Sequence, residues 1–447
     1  MVPNLPDRLR LFIAHCAGNG RFLWVAWAVF CGFFSWSSID FNSKIPLEDW
    51  RHDLRGDASG YYIYLPGTFH HGMRAADMSD SLRVVAGLGF TLDRENDRII
   101  TKYTCAPAIL MLPFYLLAEA IEGWGVSDGW SRTHHQTIEL GAVFYWSLGL
   151  MLLAGSLMRR LPTVPVVAIL CVAAIAFGTN SFYYAFRAPA FSHVYSFFLV
   201  CLAIHAIYVD PGRPMRKGMR WLFLIACAMI VAVRPIDVVA ALALVGLLGI
   251  ERPGELRQPG FYPAGVLACA LVAAPQLLFW KFAHGHWLVY SYGEEGFTNW
   301  ASPYIKEVLM APRNGLLPHA PALFLLPLGL WAQWRVDKRV ALLLAATFAI
   351  ILYSFAAWHS WDFGCSYGMR PFVQYTPFAA LFTWPLLHML HARWPPVFWS
   401  LAIVLVLVSF VNYRAMLEYD GCNLWPFWDW LPFGRNLWEA FFGRFPC

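Results

Sequence analysis

Residues 103–121 read YTCAPAILMLPFYLLAEAI, an apolar run long enough to cross a bilayer but broken by Pro107, Pro113 and Glu119. A helix needs about 20 apolar residues to traverse about 30 Å of hydrocarbon. An internal proline removes a helical hydrogen bond, and a carboxylate in hydrocarbon is costly. The run therefore either spans the membrane or lies half-inserted along its surface, and the sidedness of the N-terminal region turns on which.

Beyond this run the apolar residues gather in eleven further stretches, at 21–38, 138–158, 164–185, 190–208, 221–234, 236–250, 261–282, 316–334, 340–357, 371–390 and 397–415. They are continuous, without the alternation of a β-barrel strand. Hydrophobic residues make up 59% of the 447 and charged residues 14%, where a water-soluble chain carries about 25% charged residues. The expected fold is an all-α integral membrane protein of about 11 transmembrane helices in a single domain, residues 1–447. Residues 21–38 lack a small-residue cleavage pattern, so they are taken as the first span and not as a removed signal peptide.

Basic residues mark alternate loops: Arg159/Arg160, Arg213/Arg216/Lys217/Arg220, Arg252/Arg257, Arg335/Lys338/Arg339 and Arg393. The positive-inside rule makes those loops cytoplasmic. If 103–121 does not cross, residues 39–137 form a long periplasmic loop with surface helices, and the tail bearing Arg8 and Arg10 stays inside. If it crosses, there are twelve spans and the first loop is cytoplasmic, the layout of a secondary transporter. Keeping the basic tail inside favours the non-crossing arrangement. The segment 416–447, dense in Trp and Phe, reads as a periplasmic interfacial cap.

The net charge of +5 comes from 33 Lys and Arg spread over many short loops, which makes no basic stripe and excludes nucleic acid as a partner. The ten cysteines form no C-x-x-C pair, so no zinc site is read. Cys31, Cys171, Cys201, Cys227 and Cys269 fall inside apolar runs as small hydrophobes. Cys422 and Cys447 share the tail, where a bridge between them would close a loop.

The strongest chemical signal is Gly56-Asp57-Ala58-Ser59-Gly60-Tyr61-Tyr62, where two glycines free the backbone around one carboxylate ahead of a tyrosine pair. An acid in an aromatic turn at the membrane surface suits a base that orients a hydroxyl. A solvated loop aspartate is the plainer reading. Lys102 and Arg370 stand at helix ends, where a cation either snorkels to the interface or clamps a phosphate. His193, six residues after Arg187, opens an outer span, as a hydrogen-bonding imidazole or as a satisfied interhelical one. Glu294, Glu295 and Asp362 occupy later outer loops, where together they leave room for a divalent cation. Arg234-Pro235-Ile236-Asp237 reads as an ion pair or turn at the outer surface, outside the site.

The layout resembles that of the GT-C glycosyltransferases that use polyprenyl-phosphate sugars, including protein O-mannosyltransferases and the lipid A aminoarabinose transferases. It rests on Asp57 in the loop after the first span, the Pro-containing run from Lys102 through Pro107, and a span closed by Arg159-Arg160. More loosely, it extends to Gly178-Thr179-Asn180, Ser192-His193-Val194-Tyr195 and Trp361-Asp362-Phe363-Gly364 through Gly368-Met369-Arg370. The resemblance implies a surface helix at 103–121, Asp57 as the catalytic base, and Lys102 near the donor phosphate. It implies a polyprenyl-phosphate sugar donor, a periplasmic acceptor glycan, lipid or protein, and a bacterial inner-membrane location. Arg370, His193, Arg187, Tyr61, Tyr62, Glu294, Glu295 and Asp362 complete the expected substrate-binding set. The class often has an Asp-Glu pair where this chain has Asp57-Ala58, so a second acid would come from elsewhere. A lipid-linked-sugar flippase would share the topology but tolerate loss of Asp57.

Overall fold

The computed structural model describes residues 20–443 except 48, 50–52, 81–86, 88, 162–163, 420–421 and 423–425. Arg8, Arg10 and Cys447 lie outside the described residues. The first part of the chain runs α1 (Gly20–Asn42), α2 (Asp57–Tyr62), α3 (Tyr64–Phe69), a small antiparallel hairpin of β1 (Thr91–Asp93) and β2 (Arg98–Ile100), then α4 (Ala106–Glu122) and α5 (Arg132–Arg160). The middle consists of α6 (Pro165–Phe177), α7 (Ser181–Phe186), α8 (Ser192–Tyr208), α9 (Lys217–Val233), α10 (Val238–Glu251), α11 (Pro253–Leu256) and α12 (Phe261–His284). The last part is α13 (Ile305–Met310), α14 (Leu316–His319), α15 (Leu326–Val336), α16 (Lys338–Ala356), α17 (Thr376–Arg393), α18 (Pro395–Glu418) and α19 (Trp430–Phe442).

Prolines set many of the starts, because a residue in the first helical turn has no intrahelical partner for its N–H. α4, α6, α15, α17 and α18 each carry one there. Arg159 and Arg160 close α5, and Arg393 closes α17. Among the described helices, α5, α12, α16 and α18 are long and apolar enough to cross a membrane alone.

Three stretches expected as continuous spans are broken. The run 164–185 divides into α6 and α7; Thr179 and Ser181 donate their hydroxyls to the Ile175 carbonyl at 2.6 and 2.9 Å, satisfying a group the break exposes. The run 316–334 divides into α14, a 3-10 turn at Pro321–Leu325 and α15. The run 371–390 opens as a 3-10 turn, Arg370–Tyr375, before α17. Pro321 and Pro371 sit at the two 3-10 turns, where the missing N–H prevents a helix from continuing.

α5 is the longest helix, 29 residues or about 43 Å at about 1.5 Å per residue, and α1 and α8 pack along it. The Trp27 indole donates to Ser147 at 3.1 Å, while Ser38 and Asn42 both donate to the Phe186 carbonyl. Tyr145 of α5 meets Tyr195 near the start of α8, so residues 132–145 extend past the level at which α8 begins.

α4 lies against this extension. Tyr145 donates to the Leu110 carbonyl at 2.9 Å, and Phe114 packs on Gly141 and Tyr145. At the far end of α4, Glu119 accepts from His70 and His134 at 2.8 and 2.9 Å. At its near end, the Thr104 hydroxyl reaches the last carbonyl of α9, on Val233, at 2.8 Å. α4 therefore runs from the ends of the bundle helices outward along α5, and Glu119 finds its partners there.

α19 packs on α18, where Arg414 donates twice to the Ala440 carbonyl, and it presents Leu431 and Phe442 outward, 72% and 69% exposed. Cys422 is disulfide-bonded to Cys365, not to Cys447, across a sequence separation of 57. The bridge ties the tail to the loop preceding Arg370. Replacing both cysteines with Ser is expected to cost about 2–4 kcal/mol of stability, the usual worth of closing a loop of this size. Thermal unfolding of the purified double variant checks this, with a non-reducing gel to verify the bridge in the parent.

Candidate active site

Asp57 opens α2, and each flanking glycine has a physical reason. Gly56 holds φ at +63°, a region side chains rarely adopt. A Cβ on Gly60 would collide with the Tyr103 ring and the Gly89 carbonyl. The close approach lets the Tyr103 hydroxyl donate to Asp57 Oδ1 at 2.5 Å. Arg370, from the 3-10 turn ahead of α17, meets Asp57 Oδ2 at 2.8 Å. The carboxylate side chain is 34% exposed and the guanidinium 16%.

Burial alone would raise the Asp57 carboxyl. Arg370, the Tyr103 hydroxyl and the nearby Lys102 more than offset it and hold the group below the ordinary carboxylate range. Burial and the adjacent Asp57 charge push Tyr103 far up, so it stays a donor. The Arg370 guanidinium sits 5.3 Å from the Phe191 ring centroid and 5.9 Å from that of Phe363, in cation–π reach of both.

Lys102 pairs with Glu295 at 2.6 Å and lies 5.5 Å from the ring centroids of both Tyr103 and Tyr292. The Ser291 hydroxyl donates to the Lys102 carbonyl at 2.6 Å, anchoring the loop after α12 to the same spot. Tyr61 packs on Tyr103 at 4.6 Å and accepts from Ser192. Asp57, Lys102, Tyr61, Glu295 and Arg370 are thus brought together from segments far apart in sequence.

The remaining expected residues stand apart from this cluster or behind it. Tyr62 turns inward, donating to the Gly129 carbonyl at 2.6 Å. Arg187 lies over Phe41 and donates to the Leu417 carbonyl. Asp362 is paired with Arg313 at 2.7 Å beneath Phe427. Glu294 is exposed. Among the described residues no group of three or more His, Cys, Asp and Glu side chains is arranged to hold a metal ion, so Glu294, Glu295 and Asp362 do not converge.

Sequence reasoning missed Arg234. The turn expected at 234–237 is present, a 3-10 turn at Pro235–Asp237, but Arg234 forms no ion pair with Asp237; one guanidinium N–H donates to His193 Nδ1 at 2.9 Å. Asp237 is fully buried and accepts from Gln374, Ser196 and Tyr375 at 3.0 to 3.1 Å, with Arg234 acting on it only through its field, beyond ion-pair distance. His193 stacks on Phe191, and the Phe355 ring beside Arg234 meets Phe363, so Arg234 is linked by one ring on each path to the two rings that contact Arg370. The available signal was its position at a span end beside a proline, shared with Arg370.

The arrangement is a carboxylate with two of its roughly four lone-pair sites engaged, ringed by cations and tyrosines at one end of an apolar bundle. It can accept a hydrogen bond from a hydroxyl while cations meet an anion alongside.

No family model matches the chain, and no curated protein matches it. Among solved structures it matches ArnT from Cupriavidus metallidurans in the apo state, with a TM-score of 0.53 and 13% sequence identity, over 93% of this chain and 67% of that one. ArnT is a lipid A aminoarabinose transferase of the GT-C class. The chain is an all-α membrane protein with a GT-C glycosyltransferase fold.

Proposed function

We propose that this chain moves a sugar from a polyprenyl-phosphate donor to an acceptor hydroxyl on the periplasmic face of a bacterial inner membrane, with inversion at the anomeric carbon. The observation that carries the reading is the Asp57 carboxylate held between Arg370 and Tyr103, one residue along the chain from Lys102. The acceptor oxygen forms the new bond to the anomeric carbon as the bond from that carbon to the phosphate oxygen breaks. Asp57 takes the acceptor proton. Its low basicity suits late transfer, once the attacking oxygen has become acidic. The departing polyprenyl phosphate gains negative charge, which Arg370 and Lys102 neutralise.

Lys102 is held by Glu295 in the structure, so the donor phosphate would compete for it. Tyr61 and Tyr292 offer ring faces to the sugar. On this reading α4 is a surface helix, the bundle has eleven spans, and the acceptor is a glycan, lipid or protein at the envelope.

Sidedness tests the reading directly. Asp80 is exposed in the loop that carries Asp57, so Asp80→Cys is expected to react with an impermeant thiol reagent on intact, outer-membrane-permeabilised cells. Protection until the inner membrane is opened would put Asp57 in the cytoplasm and remove this function.

A further inference from the structure

Three cations reach the mouth, and two of them have carboxylates: Lys102 with Glu295 and Arg370 with Asp57. Arg234 is different. Among the described residues it forms no ion pair, and its hydrogen bond goes to His193 Nδ1. A guanidinium only donates, so that nitrogen must carry a lone pair. His193 therefore cannot also donate from it to Gln374 Oε1, 3.3 Å away, and the bond to Arg234 is the one that forms. Gln374 is in turn held by two bonds to the buried Asp237, which fixes the wall behind the imidazole.

No nitrogen of Arg234 is both buried and unpartnered, so the donors left over keep some solvent-accessible surface. That space adjoins the mouth, because the His193 that accepts from Arg234 stacks on Phe191 at 6.3 Å and the Phe355 ring beside Arg234 meets Phe363 at 5.8 Å, the two rings that contact Arg370. The Phe355 ring, 5.9 Å from the guanidinium carbon, supplies a further apolar contact without using a donor. A half-buried guanidinium with spare N–H groups and no carboxylate within ion-pair distance among the described residues is a matched receptor for a planar or tetrahedral oxyanion, which it grips with two parallel hydrogen bonds.

We propose that Arg234 is a further oxyanion-binding residue of this site, presented by His193 as its positioning residue, and that it takes a phosphate-type group of a substrate. The inference rests on the glycosyltransferase reading for the identity of the substrates. Two sources share the chemistry: the donor phosphate, gripped jointly with Lys102 and Arg370, or a separate anionic group on the acceptor.

The test uses the full-length chain in detergent, with polyprenyl monophosphate as one probe and inorganic phosphate, added at saturating lipid, as the other. Arg234→Gln is expected to lose about tenfold or more in affinity for one of them, with Arg234→Lys intermediate because it keeps the charge and loses the fork. A loss for the lipid probe assigns Arg234 to the donor phosphate; a loss confined to inorganic phosphate assigns it to an acceptor anion. His193→Ala is expected to weaken the same probe to a smaller degree, and His193→Gln, whose amide oxygen accepts from Arg234, to recover part of it. Unchanged affinity for both probes in Arg234→Gln protein of parental melting temperature overturns the proposal. Should Arg234→Gln not fold, Arg234→Lys decides by the same criterion. A parent chain that binds no polyprenyl phosphate would instead count against the function proposed above, while the inorganic phosphate arm would still decide on Arg234.

Discussion

Asp57→Asn is expected to lower the rate of sugar transfer by about 10³-fold while donor binding survives, within the range usual for loss of a positioned acid or base. The amide keeps the shape and can still accept from Arg370 through its one oxygen, while its NH2 faces the Tyr103 hydroxyl, which can turn to accept; it takes no proton. The contacts of Asp57 tie α2 to the 3-10 turn ahead of α17, so the variant must be shown folded by its melting temperature. A transfer assay on purified protein, with donor binding measured separately, distinguishes lost chemistry from lost assembly. Transfer at the parental rate would remove Asp57 as the base.

Arg370→Gln is the second large effect, about 10²–10³-fold in rate, because the cation meets charge on the leaving phosphate as well as orienting Asp57. It also shifts the pH profile in a defined direction. In the parent, burial raises the Asp57 carboxyl but Arg370 leads the groups that lower it, so the carboxylate persists below the ordinary carboxylate range. Without Arg370, burial is opposed only by Tyr103 and Lys102. The carboxyl then holds its proton to higher pH, so the acidic limb of the rate profile moves upward and the deficit grows as pH falls. A uniform loss at every pH would show that Arg370 serves the phosphate alone.

Much of this architecture was legible because its signals are local. Apolar run length, prolines at helix starts and arginines at helix ends each act within a turn or two, so the helices fell close to where hydropathy put them. Asp57 stood out for its glycines, although the reason for Gly60 is the ring of Tyr103, 43 residues later. Partner choice was not legible. That Lys102 meets Glu295 and that Cys422 meets Cys365 depends on which loops share the mouth, and no periodicity carries that. Arg234 and Asp237 look like an ion pair because they are neighbours in sequence. Asp237 instead turns inward to Gln374, Ser196 and Tyr375, while Arg234 turns to His193. The breaks at 178–180 and 320–321 were visible as Gly and Pro, but an apolar average over a long window hides them.

The Cys365–Cys422 bridge carries a consequence for how the molecule is made. Cys365 lies five residues before Arg370, and α17 and α18 must both be synthesised before its partner exists. Translation thus sets the order in which these loops mature. With the periplasmic sidedness proposed above, a growing chain inserted only as far as α17 presents Cys365 to the oxidising machinery with no correct thiol to receive it. Faithful assembly then requires that the first thiol stay reduced, or be shielded, until the last long helix is in the bilayer. Chains stalled before that point are open to wrong pairings, and a thiol isomerase becomes the factor on which their rescue depends.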